Sequence, residues 1–266
     1  MFAAKNFFDL RDFTHAAIFA AEAPVWQALD ALKPYMDGYD YPVLDRSLLP
    51  DGRPLPETVA FHDGRWRLAS DLTIKYGDTN KGGLAVFDGD RRLEGASVLM
   101  AGAVLMGDHF AFGRGVLIET QAMLKAPVIC DDYSEIRQGA YLRGYCLAGK
   151  RCVLGHTTEI KNSIFLNDAK AGHFAYLGDS ILGNHCNLGA GTKFANLRFI
   201  GGNIVLRHER QLFDTGRRKL GAILGDGSQT GCNSVTSPGT IFGRECMLFP
   251  NTTAASGFHP DRKIIR

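Results

Sequence analysis

The sequence predicts a mainly β fold: a left-handed parallel β-helix of hexapeptide repeats, preceded by an N-terminal helical segment. From Met106 to Ile160 every sixth residue is apolar, ten positions in succession. Four places after each of them stands a mostly small or β-branched residue. The chain also has 31 glycines, which suits a framework of many tight turns. A short fixed period is typical of a solenoid, because each repeat supplies one strand and one turn.

The period slips by one residue and resumes at Phe165, continues to Leu188, and returns from Leu224 to Leu248. Three hexads close one triangular coil, with the aliphatic residue pointing inward and the small residue near the corner. The repeats number about 20, which predicts nearly seven coils.

The chain divides into two parts on these patterns. Residues 1–99 form an N-terminal helical and irregular segment, in which the apolar spacing up to Met36 predicts two amphipathic helices. Residues 100–266 form the β-helical domain. The charged stretch at about 193–219 loses the period, so we expect a loop or hairpin outside the coil there.

Composition excludes several classes of partner. The chain has 30 basic and 28 acidic residues, a net charge of +2, so nothing favours nucleic acid or an anionic membrane. Asp9, Arg11 and Asp12 interrupt the N-terminal apolar run, which therefore resembles neither a signal peptide nor a membrane span. The six cysteines form no CxxC pair and are expected to be buried and reduced. We expect a cytoplasmic protein.

Three histidines raise the alternative of a metal site. His156, His173 and His185 are 17 and 12 residues apart, a spacing that can bring them near one corner of a triangular coil. A zinc site would need such a cluster. The sequence offers no matched carboxylate ligand, so we expect no metal.

Longer motifs carry a family resemblance. The run GHTTEIKNSIFLNDAKAGHFAYLGDSILGNHCNLGAGTKFANLRF and the later TGRRKLGAILGD resemble the C-terminal acetyltransferase domain of the bifunctional sugar-1-phosphate nucleotidylyltransferase/acetyltransferase family, which is glucosamine-1-phosphate N-acetyltransferase-like. The likeness covers about residues 124–255. It implies an N-acetyltransferase of nucleotide-sugar and cell-envelope precursor synthesis, with an amino-sugar 1-phosphate as substrate, acetyl-CoA as co-substrate and a homotrimeric assembly. The family's nucleotidylyltransferase signature, LxxGxGTR, has no counterpart here, so we expect no nucleotidylyltransferase domain.

The resemblance also implies the site residues. It makes His173 the catalytic base and Glu159 the carboxylate that supports the site. It assigns substrate binding to Arg143, Lys161, Tyr176, Asn187 and Lys219, and the lining of the acetyl-CoA site to Ala190 and Cys232. Arg217 or Arg218 can replace Lys219 in this role, since all three stand in one basic run.

Elementary chemistry agrees with these roles. Amine acetylation needs a base that titrates near neutral pH, which histidine supplies, and a sugar phosphate needs cations. Arg143 and Lys161 are 18 residues apart, which stacks them on one corner and favours a site over two solvated turns. Backbone amides of Gly189–Gly191 are candidates for an oxyanion site. The alternatives are a non-catalytic sugar-phosphate or nucleotide-sugar binding protein, a partner subunit for a separate nucleotidyltransferase, and a nucleotidyltransferase itself.

Overall fold

The computed structural model describes residues 2–266 and contains a parallel β-helix of about nine turns with one N-terminal α-helix. The predicted fold class is confirmed. No helix within the described residues has the length and hydropathy needed to cross a bilayer. The elements ahead of the coil are α1 (Ala28–Asp37), 3₁₀ turns at Ala4–Asn6, Ala16–Ile18, Val25–Gln27, Ala69–Asp71 and Thr79–Lys81, and the strands β1 (Val59–His62), β2 (Arg65–Leu68), β3 (Thr73–Lys75), β4 (Ala85–Asp88) and β5 (Arg91–Arg92).

The coil strands are two to four residues long. In chain order the first part comprises β6 (Ser97–Leu99), β7 (Val104–Met106), β8 (Phe110–Phe112), β9 (Leu117–Ile118), β10 (Met123–Lys125), β11 (Val128–Cys130), β12 (Glu135–Ile136), β13 (Tyr141–Arg143), β14 (Cys146–Ala148), β15 (Val153–His156), β16 (Glu159–Lys161), β17 (Ser163–Phe165), β18 (Lys170–His173), β19 (Tyr176–Gly178), β20 (Ile181–Leu182), β21 (Asn187–Leu188) and β22 (Lys193–Phe194).

The chain then leaves the coil at 195–221, a segment called the excursion below. It folds into an antiparallel hairpin of β23 (Val205–His208) and β24 (Gln211–Asp214). The coil resumes with β25 (Ala222–Leu224), β26 (Gln229–Thr230), β27 (Val235–Thr236), β28 (Thr240–Phe242), β29 (Met247–Leu248), β30 (Thr253–Ala254), β31 (Gly257–His259) and β32 (Ile264–Ile265).

Three flat parallel sheets form the sides of the coil. Face A contains β6, β9, β12, β15, β18, β21, β26, β29 and β32, and the antiparallel pair β1–β2 extends it at the lower end. Face B runs from β7 to β30 and face C from β8 to β31, with eight strands each. Successive strands of a face lie about 4.8 Å apart, so residues one turn apart stand side by side.

The interior of the coil follows the predicted period over its middle turns. Leu154, Ala171 and Leu188 are successive inward residues of face A, and all three are buried. The expectation of seven turns was too low, because the coil begins at β6 and ends at β32, beyond the regular hexads. At its lower end the phase differs from the prediction: Leu105 is the inward residue, whereas Met106 is 39% exposed.

The N-terminal segment lies against the outside of face C. The central outward residues of that face are aliphatic and buried beneath it: Ile129, Leu147, Ile164, Ile181, Ile223 and Ile241. Only one of the two expected helices forms. Residues before α1 instead make isolated 3₁₀ turns, because Phe2, Phe7 and Phe13 are buried by this flat surface without a continuous helical face. Burial of each ring stabilises the attachment by roughly 2 kcal/mol.

A buried carboxylate ties α1, the excursion and the coil together. Asp179, 5% exposed, accepts hydrogen bonds from the side-chain amides of Asn162 and Asn196, both at 2.7 Å. Arg217 lies 3.3 Å from the same carboxylate and also pairs with Asp30 of α1. Buried charges persist only when paired and hydrogen-bonded, so this cluster fixes where the excursion leaves the coil.

The change Asp179→Ala should therefore destabilise the protein strongly. It leaves the Arg217 guanidinium partly unpaired and removes the acceptor from one buried and one half-buried amide, a loss of about 3 kcal/mol. The urea midpoint, followed by circular dichroism, measures the effect. As a matched control, Glu245→Ala breaks an exposed pair with Arg262 (2.8 Å) and should change the free energy of unfolding by less than about 1 kcal/mol. Equal midpoint shifts for both variants would contradict the role given to Asp179.

Candidate functional site

The turn between faces A and B, called corner AB, is held by one hydrogen bond per turn of the coil. The Phe174 N–H donates to the His156 carbonyl (2.9 Å), and the Gly191 N–H donates to the His173 carbonyl (3.0 Å). The Asn233 N–H likewise donates to the Ala190 carbonyl (2.7 Å). The residues that accept these bonds occupy equivalent positions on successive turns, so corner AB forms one straight edge: His156, His173, Ala190 and Cys232.

Two of the three spaced histidines meet on this edge. His156 and His173 are register partners, and their rings stack with centroids 5.5 Å apart and an interplanar angle of 20°. His185 lies at the corner between faces C and A instead, with its Nδ1 atom 3.8 Å from Asp168. The structure thus brings together a pair and not a triad, and residues 2–266 hold no group of three His, Cys, Asp or Glu side chains arranged for a metal.

The environment of His173 disfavours its charged form. His173 is exposed, but desolvation of its ring by the surrounding residues lowers its pKa, and the neighbouring His156 and the more distant Arg137 lower it further. Two imidazoliums face to face, or an imidazolium near a guanidinium, repel each other. The ring is therefore a neutral base at physiological pH.

A column of glycines runs beside this edge on face A, between two columns of residues that carry side chains. It comprises glycines on four successive turns: Gly155, Gly172, Gly189 and Gly231. A side chain at Gly155, Gly189 or Gly231 would overlap the backbone of the next turn, whereas nothing lies within 4 Å of the side-chain direction at Gly172. Four turns extend about 14 Å. We call this feature the glycine groove.

The two walls of the glycine groove carry different predicted residues. His173, Ala190 and the exposed Cys232 belong to the corner AB wall. Asn187, exposed and in register with Lys170, stands on the opposite wall. The structure therefore places four of the predicted site residues along one groove.

Of the backbone N–H groups of Gly189–Gly191, two already donate hydrogen bonds within the coil. Gly189 donates to the Thr230 carbonyl (2.8 Å) and Gly191 to that of His173 (3.0 Å), so both N–H groups bind the coil itself. Within residues 2–266, the Ala190 N–H donates to no backbone oxygen. The predicted oxyanion role can thus fall to Ala190 alone.

The remaining charged candidates stand on face B, one corner away from the groove. Arg143 donates to Glu159 at 2.7 Å, and Glu159 is in register with Tyr176 on the next turn. Burial and the nearby Glu159 carboxylate raise the pKa of Tyr176, so its phenol stays protonated and can donate a hydrogen bond. Arg143 and Lys161 end adjacent strands, as their spacing predicts. Glu159 contacts Arg143 directly, and no hydrogen bond joins it to His173 within residues 2–266.

The basic residues of the excursion differ in their surroundings. Lys219 is exposed, and its backbone forms an isolated β-bridge with Leu197, just past face B. Arg217, an alternative to Lys219 on sequence, is committed to Asp30 and Asp179. Arg218 is also exposed.

Two further cations, not predicted from the sequence, lie near these residues. Lys125 is aligned with Arg143 on the turn below, and the 18-residue spacing that links Arg143 to Lys161 also links it to Lys125. Lys170 stands on the wall of the glycine groove opposite His173, a place that needs the register of face A to be known.

Substitutions at Gly155 and Gly172 test the geometry of the glycine groove. Gly155→Ala should lower the free energy of unfolding by about 1–3 kcal/mol, because its methyl group meets backbone that cannot rotate away. Gly172→Ala should change it by less than about 0.5 kcal/mol, since the space there is open. Urea unfolding of the two variants provides the comparison. If Gly172→Ala proved the more destabilising, the open groove at that turn would be wrong.

The stacking of His173 on His156 predicts that the pKa of His173 depends on its neighbour. In an NMR titration of the imidazole resonances, His173 should lose its proton below the ordinary histidine value of about 6.5. His156→Gln should raise the pKa of His173, since it removes a side chain that lowers that pKa. The control His185→Gln lies at another corner and should leave it unchanged. A His173 pKa that did not respond to His156→Gln would contradict the coupling.

The β-helix was compared with known protein families and proteins. The sequence-family model described as the GMPPB C-terminal domain matches residues 124–215. The bifunctional sugar-1-phosphate nucleotidylyltransferase/acetyltransferase of Sulfurisphaera tokodaii is 35% identical over 162 residues, covering 54% of this chain and 40% of that protein. The bifunctional protein GlmU of Methanocaldococcus jannaschii is 36% identical over 109 residues, covering 41% of this chain and 26% of that protein.

A solved structure, the UDP-N-acetylglucosamine acyltransferase of Francisella novicida, is 12% identical with a TM-score of 0.27, covering 59% of this chain and 60% of that one. The chain thus spans less than half the length of the two curated relatives described above. The similarity lies in the C-terminal region, from about residue 100 onward. The predicted resemblance is confirmed: the C-terminal region of this chain is similar to bifunctional sugar-1-phosphate nucleotidylyltransferase/acetyltransferase proteins.

Proposed function

We propose that this chain is an acetyl-CoA-dependent N-acetyltransferase that acts on an amino-sugar 1-phosphate. One observation carries the proposal: His173 stands on corner AB, with the glycine groove on one side and the charged residues of face B on the other. An acyl donor and an anionic acceptor on adjoining faces would meet at this edge. The similarity to acetyltransferase-bearing relatives supports the same reaction class.

His173 acts as the general base in this proposal. Its lowered pKa keeps the ring unprotonated, so it can accept a proton from the attacking amine as the carbon–nitrogen bond forms. It returns the proton to the sulfur as the carbon–sulfur bond breaks. Transfer is direct, and Cys232 lines the site without acting as a nucleophile.

The glycine groove suits a thin, extended acyl carrier. Acetyl-CoA supplies an activated acetyl thioester when bound. Ala190 and Cys232 would hold it along corner AB, and the free Ala190 N–H is the donor available for a carbonyl oxygen. Of the four glycines, Gly172 alone has open space beside it, so a larger residue at that position would project into the path.

The acceptor would lie on face B. Arg143 and Lys161 would bind its phosphate as a guanidinium fork and a point charge. Glu159 orients Arg143 through their 2.7 Å contact. Tyr176 donates a hydrogen bond to the sugar from the next turn, while Asn187 and Lys219 approach from the groove wall and the excursion.

A homotrimer would complete these open surfaces. The excursion presents Phe199 at 111% and Ile200 at 73% relative exposure, and large exposed apolar side chains mark surfaces that another protein covers. Sites between adjacent β-helices would then include both groove walls and a neighbour's surface. The proposed setting is the cytoplasmic synthesis of nucleotide-sugar precursors. A separate nucleotidyltransferase is a candidate partner, whereas nucleic acid and membrane have no part in the proposal.

The proposal predicts thiol release from acetyl-CoA with glucosamine 1-phosphate or galactosamine 1-phosphate. His173→Ala should lower kcat about 10²-fold to 10⁴-fold, because the proton acceptor is lost, while His185→Gln serves as a matched histidine control. Free thiol is followed with a chromogenic disulfide and the product by mass spectrometry.

Other outcomes identify the alternatives. Binding of the sugar phosphate without thiol release would favour a non-catalytic binding protein. Pyrophosphate release from UTP or dTTP would favour a nucleotidyltransferase. Undiminished thiol release by His173→Ala would overturn the assignment of the base.

A further inference from the structure

Three cations form a ladder at one edge of face B. Lys125, Arg143 and Lys161 are the last residues of β10, β13 and β16, three consecutive strands of the sheet. Lys125 and Arg143 are direct register partners. The strands lie about 4.8 Å apart, so the ladder extends about 10 Å between the outer backbones.

The middle and lower steps of the ladder differ in their partners. The Arg143 guanidinium is paired with Glu159 at 2.7 Å. Lys125 has no ion pair within residues 2–266, and its ammonium group lies 5.4 Å from the centre of the Tyr141 ring. A half-buried ammonium without a carboxylate is held ready for an external anion.

Below the ladder, the outward residue in line with Lys125 is apolar, with Asp51 and Asp108 nearby. Met106 is the register partner of Lys125 on the next strand down and is 39% exposed. Met123 and the Tyr141 ring stand beside it in the neighbouring outward column of face B. Flat apolar surfaces of methionine and tyrosine are the kind on which an aromatic heterocycle packs.

The geometry points to a binding site for the diphosphate of a nucleoside-diphosphate amino sugar. The phosphoryl group next to the sugar would lie at Arg143 and Lys161, the second at Lys125, and the base on the Met106, Met123 and Tyr141 surface. This inference rests on the proposed function for the position of the first phosphate, and it extends the substrate class from sugar monophosphates to nucleotide-linked sugars. A single phosphate needs only the upper two steps of the ladder.

Equilibrium binding tests this site without relying on catalysis. In isothermal titration calorimetry, UDP should bind the unmodified protein about tenfold more tightly than UMP, because only UDP carries the second phosphate that reaches Arg143 and Lys161. Lys125→Gln should weaken UDP and UMP alike, since it removes the partner of the phosphate that both carry, and it should leave glucosamine 1-phosphate binding unchanged. Lys150→Gln makes the same change of charge near another corner and should leave all three affinities unchanged. Inorganic pyrophosphate should bind more weakly than UDP, since it lacks the base.

Several results would overturn the inference. Equal affinities for UDP and UMP would do so, as would a Lys125→Gln variant that binds UDP as tightly as the unmodified protein does. Acetylation of glucosamine 1-phosphate that UDP does not inhibit would also reject the diphosphate site while leaving the proposed function intact. Conversely, UDP binding that depends on Lys125 in a protein that releases no thiol would support the site and reject the proposed acetyl transfer.

Discussion

The hydrogen bonds between successive turns of the coil are the constraint on which the rest of the structure depends. At corner AB each turn donates one N–H to the carbonyl of the turn before it, as Gly191 does to His173. These bonds, with the parallel ladders of the three faces, leave no freedom to slip one turn past another. Every outward side chain is therefore placed by its number within the repeat, and residues distant in sequence form straight columns on the surface.

The interior is much the same on all turns, so the three faces differ mainly in what they carry outside. Face C carries aliphatic residues and is covered by the N-terminal segment. Face A carries glycine in one outward column over four turns, the glycine groove. Face B carries the ion pair of Arg143 and Glu159 with two further lysines in line. One scaffold thus provides an attachment surface, a groove and a charged surface without any change in its core.

Sequence periodicity predicts this scaffold well wherever the inward residues are regular. It also predicts the meeting of His156 and His173, because 17 residues correspond to one turn in that part of the coil. The prediction is wrong at the ends of the coil. Met106 points outward there, and the coil has more turns than the regular hexads indicate. The prediction fails again before α1, because apolar spacing records burial and not the local conformation that achieves it.

The site is predictable only in part, for a related reason. The 18-residue spacing predicts that Arg143 and Lys161 lie in one column. The same spacing, applied in the other direction along the chain, predicts that Lys125 lies in that column too. The excursion has no period, so nothing in the basic run distinguishes Arg217, which binds buried Asp179, from the exposed Lys219. Likewise, Glu159 matches a motif position, but only the structure shows that its carboxylate pairs with Arg143.

The place of His173 explains why a corner suits the proposed chemistry better than a face. A side chain in the middle of a sheet reaches ligands on that sheet alone, whereas one at corner AB borders two surfaces of different character. In the proposal, the glycine column on face A would accommodate an uncharged, extended chain, and the cations on face B would attract an anion. Two ligands bound on such different surfaces do not compete for one site. The neutral imidazole is then the group that both can approach, and its stacking on His156 holds the ring at that boundary.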